Sequence, residues 1–214
     1  PVQGSAAFNG TSDFIQTANP FSHTNHTIAA WVYANDDATN KMFFDARDAS
    51  DDGILFNVNT TEGVRYSVNA SDVDSTTTHA DEWVYIVGTY DGTTQRLYID
   101  GSQNNSATTS QTISTTTDAR IGAQSYSLAN YFNGNLANVA IWNRALTSDE
   151  INSVMWKPVQ ALTATESNGL QAWYSLDDIA SPTASLASME QLATDKDVTI
   201  ENKAAITAAI NQLS

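Results

Sequence analysis

The sequence of this 214-residue chain predicts an all-β fold, in which two antiparallel sheets pack face to face and a short helical tail follows. Many short segments alternate apolar and polar residues, which is the period of a strand with one buried face. Turn signals separate these segments, among them Asn9-Gly10, Asp91-Gly92 and Asn133-Gly134. Helical spacing is confined to the residues after Thr147 and to the region 204–213.

The predicted strands follow one another from the N-terminus with few long gaps. A strand before Gly10 and one at 13–17 lead to a strand at 27–34 whose two faces are both apolar. We expect a strand at 41–45, a hairpin of 54–59 with 63–68, a loop over 72–81, a hairpin of 83–88 with 95–100, one ragged strand around Ile113 and a strand at 119–122.

Residues 131–151 carry the clearest local pattern. Asn133-Gly134 predicts a turn, because both residues tolerate the positive φ that tight turns need, and the apolar spacing after it predicts a strand. Thr147 or Ser148 is expected to cap a short helix. Asp149 and Glu150 would then lie in its first turn, where the helix dipole favours negative charge.

Three of these segments resemble the laminin-G-like modules of the concanavalin A-like lectin/glucanase superfamily. Phe8-Asn9-Gly10 is similar to the family's opening Phe-Asp-Gly turn, and residues 82–101 (EWVYIVGTYDGTTQRLYIDG) resemble its central hairpin, with Tyr85 where the family has a His. Residues 142–147 (WNRALT) resemble its closing Asn-Arg-Ala-Leu-Ser phrase. The resemblance covers about residues 5–155 and implies a two-sheet antiparallel jelly roll of the non-catalytic branch.

The last sixty residues depart from a single module of this kind. Residues 169–178 (GLQAWYSLDD) are similar to the strand that usually opens such modules, and we expect them to return to the sheet. Residues 1–180 would then form one domain, since too little chain remains for a second. Residues 181–214 are predicted to be a helical tail that docks on the sandwich or on a partner, and its assembly residues would be Ile200, Ile206, Ile210 and Leu213.

Composition excludes several classes of function. The chain has 9 Lys and Arg against 24 Asp and Glu, a net charge of −15, which repels nucleic acid and anionic membranes. No run approaches the roughly eighteen apolar residues of a membrane span. Pro1 leads straight into a strand pattern, so no signal peptide is visible, and the predicted location is extracellular or on a virion surface.

The carboxylates and histidines do not match a catalytic pattern. Retaining glycoside hydrolases hold two carboxyl groups about 5 Å apart, and glucanases of the resembled superfamily place theirs as Glu-x-Asp-x-x-Glu. None of the six Glu residues lies in that pattern, and Asp pairs such as Asp36/Asp37 would diverge in loops. His23, His26 and His79 are flanked by polar residues and are expected at the surface. The prediction is therefore a non-enzyme, with glycoside hydrolase as a distant third possibility.

The resemblance suggests one cofactor, a structural calcium ion, although the predicted function requires none. Such modules often hold calcium between the opening turn and the closing strand, and the matching positions are Asn9, Asp13 and Asn138. Amides at two of these positions would weaken binding. An acidic loop offers a second candidate whose competing interpretation is a solvated loop, namely Asp45, Asp48, Asp51 and Asp52.

A glycan site needs exposed aromatic faces beside hydrogen-bonding groups. Tyr126, Asn130 and Tyr131, before the closing strand, and Trp156, after the helix, meet that requirement, with simple packing as the alternative. Two functional classes follow. The chain is either a lectin-like module that binds glycan or cell-surface polysaccharide, or a structural decoration or fibre subunit of a phage particle. In the second class the tail would bind protein partners or further copies of the chain.

Overall fold

The structure, a computed structural model, describes residues 4–18, 24–35, 40–59, 63–113 and 118–176. The strands of this part are β1 (Ala6–Asn9), β2 (Ile15–Thr17), β3 (His26–Ala34), β4 (Lys41–Asp45), β5 (Ile54–Asn59), β6 (Gly63–Val68), β7 (Ser71–Asp74), β8 (Trp83–Tyr90), β9 (Thr94–Ile99), β10 (Ser102–Thr108), β11 (Ala119–Ile121), β12 (Asn133–Trp142) and β13 (Leu170–Tyr174). One α-helix, α1 (Ser148–Val154), and one 3-10 helix (Val159–Ala161) lie between β12 and β13.

Two antiparallel sheets form a sandwich, as the sequence predicts. The seven-stranded sheet has the order β1-β12-β3-β8-β9-β10, with β13 also paired to β12, and the six-stranded sheet has the order β2-β11-β4-β5-β6-β7. Strand β3 pairs with one edge of β12, and β1 and β13 share the other edge. Strand β1 pairs with residues 133–136 of β12, and β13 pairs with residues 139–142. Strand β13, which lies within the predicted returning segment 169–178, is therefore part of this sheet.

Every second residue of a strand points inward, and these inward residues form the core between the two sheets. Phe56 of β5 and Tyr66 of β6 stack with their ring centroids 4.7 Å apart, and Phe43 lies 5.3 Å from Phe56. Gly88 of β8 faces this stack, and a Cβ there would overlap the ring of Phe56 and lie 2.9 Å from Tyr66. The aromatic stack therefore requires the absence of a side chain at position 88.

A second apolar layer covers much of the outer face of the seven-stranded sheet. Trp31, Tyr85, Trp142 and Trp173 point outward from the sheet, and Ile151 and Val154 of α1 pack against that face. Helix α1 begins with a capping box in which Thr147 and Glu150 bond reciprocally. The helices of the described residues thus lie on the outer face of the seven-stranded sheet. None of them covers the outer face of the six-stranded sheet.

Two strand predictions are wrong because edge strands lack the alternation of a half-buried strand. Residues 72–74, the start of the loop expected over 72–81, belong to β7, and Arg65 of β6 pairs there with Asp72 and Asp74 across the ladder. The ragged strand expected around Ile113 lies earlier, as β10, whose side chains are mostly exposed. Polar residues suit such edges because they discourage pairing with other chains.

Two further local predictions fail for reasons of packing. Asn133-Gly134 lies inside β12, where a Cβ on Gly134 would overlap the carbonyl oxygen of Tyr33, so a close strand approach rather than a turn requires this glycine. His26 is buried, not at the surface. Its Nδ1 lies 2.9 Å from the Thr24 carbonyl and its Nε2 lies 2.7 Å from the Tyr66 hydroxyl.

The predicted helical tail, with Ile200, Ile206, Ile210 and Leu213, lies outside the described residues, as do His23 and Asp36/Asp37. Among the described residues, no helix has both the length and the apolar character needed to cross a membrane.

Candidate functional site

One end of the outer face of the six-stranded sheet gathers three of the four predicted ligand-binding residues. The Met42 amide of β4 donates to the Asn130 carbonyl at 2.9 Å, and Met42 forms a parallel bridge with Tyr131. The loop between β11 and β12 is thereby held beside β4. We call Arg47, Arg120, Tyr126, Asn130 and Tyr131 the tyrosine cluster.

Arg47 is the fixed centre of this cluster. Its Nε and Nη2 donate to the two carboxylate oxygens of Asp45 at 3.1 and 3.0 Å, and its Nη1 donates to Asp51 at 2.7 Å. Burial alone would lower the pKa of Arg47, but the hydrogen bonds that Arg47 donates to Asp45 and the charges of Asp45 and Asp51 raise it. The guanidinium carbon lies 5.7 Å from the ring centroid of Tyr126, which is 42% exposed. Tyr126 therefore presents a ring whose underside is anchored by a cation.

Arg120 holds the other half of the cluster. It points outward from β11, between the buried Ala119 and Ile121, and its Nη1 donates to the Gln124 carbonyl at 2.7 Å. Its guanidinium carbon lies 5.2 Å from the Phe14 ring centroid, and the ring centroids of Phe14 and Tyr131 are 6.4 Å apart. Burial lowers the pKa of Arg120, and the charges of Tyr131 and Asp45 oppose that shift.

Asn130 is also tied into this half, since its Nδ2 donates to Gln124 Oε1 at 2.8 Å. The acidic groups around the cluster outnumber its two arginines. Two arginines face Asp45, Asp51 and Asp118, and the last of these raises the pKa of Arg120 through its charge. The side chain of Asp51 is 50% exposed and can accept hydrogen bonds from a ligand beside Tyr126. The arrangement can bind a neutral ligand that has an apolar face and several hydroxyl groups.

The outer face of the six-stranded sheet continues from the cluster with more polar residues. Asn57 of β5 is 2% exposed, and its Nδ2 donates to Asn40 at 3.1 Å, while its Oδ1 has no hydrogen-bond partner among the described residues. Beyond it, Arg65 is held by Asp72 at 2.9 Å and Asp74 at 2.7 Å. A polar surface therefore runs across this face away from Tyr126.

The fourth predicted ligand-binding residue, Trp156, lies elsewhere. It follows α1 on the outer face of the seven-stranded sheet, is 62% exposed, and packs on Trp31 with ring centroids 4.8 Å apart. The structure thus brings Tyr126, Asn130 and Tyr131 together and separates Trp156 from them by the thickness of the sandwich.

Two of the three predicted calcium ligands, Asn9 and Asp13, lie together, and the third, Asn138, lies apart from them. Asn9 Oδ1 accepts hydrogen bonds from the backbone amides of residues 11–13, and Asp13 accepts one from the Asn9 amide at 3.2 Å. The β1–β12 register pairs Asn9 with Asn133. Asn138 stands five residues further along β12, roughly 16 Å away at the usual rise of a strand.

The second calcium candidate is engaged by the protein itself. Asp45 and Asp51 bind Arg47, and Asp48 accepts hydrogen bonds from the amides of Ser50 and Asp52 at 2.8 and 3.1 Å. No group of three or more His, Asp or Glu side chains suited to a metal ion occurs in the part of the chain that the structure describes.

Sequence reasoning missed Arg47, Arg120 and Trp83. Arg47 is the single cation within the acidic run 45–52, which was a signal of an ion-pair centre. Arg120 joins the cluster only through the β2-β11-β4 strand order, which local patterns do not reveal. Trp83 begins β8 on the outward face and is 36% exposed.

Comparison with known proteins agrees with the observed sandwich. The family model described as the concanavalin A-like lectin/glucanases superfamily matches residues 9–152. No curated protein matches the chain.

Solved structures of the same fold include three from bacteria. A candidate carbohydrate-binding protein from Bacteroides ovatus has a TM-score of 0.65 at 15% identity, over 83% of this chain and 53% of its own, so the chain spans about half of that protein. Domain 4 of an extracellular GH43 arabinanase from Geobacillus stearothermophilus, solved with arabinotriose, has a TM-score of 0.56 at 17% identity, over 70% and 75%. The CBM40 of a Ruminococcus gnavus sialidase, solved with α2,3-sialyllactose, has a TM-score of 0.55 at 10% identity, over 71% and 96%. At these identities the likeness shows the fold alone.

Proposed function

The chain belongs to the concanavalin A-like lectin/glucanase superfamily, and from that membership and the tyrosine cluster we propose that it is a non-catalytic module that binds a glycan. The binding surface is the loop end of the six-stranded sheet, where Tyr126, Asn130 and Tyr131 meet. Carbohydrate-binding neighbours of the same fold support the class of ligand.

The observation that carries the proposal is the fixed, exposed ring of Tyr126. A sugar ring has an apolar face of C–H groups that packs on an aromatic face, and hydroxyl groups at its rim that need donors and acceptors. Tyr126 supplies the face, and Arg47, locked by Asp45 and Asp51, keeps the ring in place. A preorganised site loses less entropy when the ligand binds, so its affinity is higher.

The charge balance favours a neutral glycan over an acidic one. Asp45 and Asp51 neutralise Arg47, and Asp118 lies near Arg120, so the cluster offers no free pair of cations for a carboxylate. The overall charge of −15 adds long-range repulsion of anionic ligands.

The carboxyl groups support a non-catalytic role. A glycosidase general acid needs a raised pKa, whereas the three carboxyl groups with a clear pKa shift among the described residues are all shifted downward. Bonds from Lys157 lower the pKa of Glu166 to about 2, and bonds from Arg144 lower that of Glu150. For Asp91, burial raises the pKa, but hydrogen bonds from Arg96 and Thr93 overcome this effect and lower it.

The alternative of a phage structural subunit rests on residues 181–214, which lie outside the described part of the chain, and it stays a prediction.

A glycan array of the wild type beside Tyr126→Ala tests the proposal. We expect the wild type to bind one group of neutral glycans and the variant to lose about tenfold or more in affinity for them, the loss of one well-packed aromatic contact. Leu128→Ala is the matched control, because Leu128 is in the same loop and is 58% exposed. Binding of no glycan by the wild type, or equal binding by Tyr126→Ala and Leu128→Ala, would contradict it.

A further inference from the structure

The outer face of the seven-stranded sheet carries rows of side chains that the strand register aligns. One row runs Asn135–Tyr33–Trp83 across β12, β3 and β8, and the next runs Ala137–Trp31–Tyr85. Alternate residues of a strand point to the same face and lie about 7 Å apart, so the two rows are neighbours. Four aromatic rings therefore lie side by side on one sheet face.

Helix α1 and the residues after it cover the second row and stop short of the first. Trp31 is 6% exposed because Trp156 packs on it, and its indole Nε1 donates to the Met155 carbonyl at 3.1 Å. Trp83 is 36% exposed, and its ring centroid lies 5.7 Å from that of Tyr33. Trp156 is 62% exposed and packs on Trp31, whose row is the neighbour of the open one. We call Tyr33, Trp83 and Trp156 the aromatic ledge.

Each ring of the ledge is held by a partner on the sheet. Trp156 rests on Trp31, Trp31 on Tyr85 at 5.2 Å, and Trp83 on Tyr33. Two of the four large apolar side chains that the described residues expose, Trp83 and Trp156, belong to the ledge. Rigid aromatic rings that remain exposed on a folded surface are typical of binding sites.

Polar groups border the ledge. Asn135 extends the open row beyond Tyr33, and its Nδ2 donates to Ser5 Oγ at 3.3 Å, which orients the amide. On the other side, Glu82 precedes Trp83, has a side chain 59% exposed, and bonds to His79 at 2.9 Å. The polar amide of Asn135 thus stands at the β12 end of the aromatic row, and the exposed Glu82 adjoins Trp83 in the sequence at the other.

We propose that the aromatic ledge is a second saccharide-binding site that takes a neutral, linear oligosaccharide. The spaced rings fit the apolar faces of successive sugars, and Asn135 and Glu82 accept hydrogen bonds from their hydroxyl groups. This goes beyond the function proposed above, because it places a separate ligand on the opposite face of the sandwich.

Charge decides between this ligand and two other occupants. Asp81 and Glu82 are exposed beside Trp83, so two copies of the chain that met through this face would bring like charges together. The same carboxylates, with the net charge of −15, disfavour an acidic saccharide. A neutral oligosaccharide is subject to neither of these repulsions.

Indole N–H resonances offer a direct test, since each of the five tryptophans gives one. The probes are short linear oligosaccharides derived from xylan, cellulose, starch and arabinan, each titrated to millimolar concentration into the full chain. We expect at least one probe to shift the signals of Trp83 and Trp156, while those of the buried Trp142 and Trp173 stay unchanged.

Variants separate this site from the tyrosine cluster. Trp83→Ala should abolish the shift of the Trp156 signal, and the resonances of Trp142 and Trp173 report whether that variant is folded. Tyr126→Ala should leave both ledge signals responsive, even if it loses glycan binding elsewhere. The proposal is overturned if no probe moves either signal, if Tyr126→Ala removes the response, or if raising the protein concentration without sugar produces the same shifts, which would indicate a second copy as the occupant.

Discussion

Acidification should destabilise the fold through His26. The imidazole is fully buried between Tyr66 and Tyr90, with ring centroids 6.1 and 5.8 Å away, and burial lowers its pKa from 6.5 to about 4. Its Nδ1 lies against the Thr24 carbonyl and can only donate there, so Nε2 accepts from the Tyr66 hydroxyl in the neutral ring. A second proton would turn Nε2 into a donor and leave a charge in the core.

The sign and size of the effect follow from proton linkage. Between pH 6.5 and about 4 the unfolded chain binds a proton at this position that the folded chain does not, so stability falls as the pH falls. Each pKa unit corresponds to about 1.4 kcal/mol, which gives a loss of about 2 kcal/mol by about pH 5 and about 3 kcal/mol by about pH 4. Above pH 6.5 the contribution is constant.

Urea unfolding of the wild type and His26→Gln measures this loss. Glutamine stays neutral and can still accept from Tyr66, and carboxyl titrations common to both proteins cancel in the difference. The difference in unfolding free energy between the two should change by about 2 kcal/mol between about pH 7.5 and about pH 5, with the wild type losing more. Parallel pH profiles for the two proteins would refute the reasoning.

Three further predictions concern stability, each measured by urea unfolding. Gly88→Ala should cost about 1–3 kcal/mol, because the new methyl group meets the Phe56–Tyr66 stack, and wild-type stability would show that the core repacks freely. Trp173→Ala should cost about 3–5 kcal/mol, since Trp173 is 3% exposed and meets Trp142 edge-on at 6.2 Å; a loss below about 1 kcal/mol would contradict the second apolar layer. Thr147→Ala should cost about 1 kcal/mol through the lost cap, whereas Thr165→Ala, outside the helix, is the comparison.

Strands that bury one face could be predicted from the sequence, and edge strands could not. The hairpin of β5 and β6 has the bounds that alternation predicts, 54–59 and 63–68, because its inward residues are all apolar. Strand β10 has no apolar face, since it lies at the sheet edge and its side chains meet water. Nothing in its local sequence distinguishes it from a loop.

The candidate sites show the same limit. Residue type and loop position predicted Tyr126, Asn130 and Tyr131 as a group, and the structure brings the three together. Their partners Arg47 and Arg120 come from strand order and register, which depend on the whole fold. Trp156 was grouped with the tyrosines because both are aromatic and outside the main strands. Only the docking of α1 on the seven-stranded sheet places it on the opposite face.

The central claim, that the chain binds a glycan at the tyrosine cluster without cleaving it, is tested most directly by calorimetry. The tightest-binding ligand from the array is titrated into the wild type and into Tyr126→Ala. The mass of the recovered ligand is then measured by mass spectrometry. We predict saturable binding by the wild type, an affinity about tenfold or more weaker for the variant, and a ligand of unchanged mass. Equal affinity for the two proteins, or a cleaved ligand, would contradict the claim.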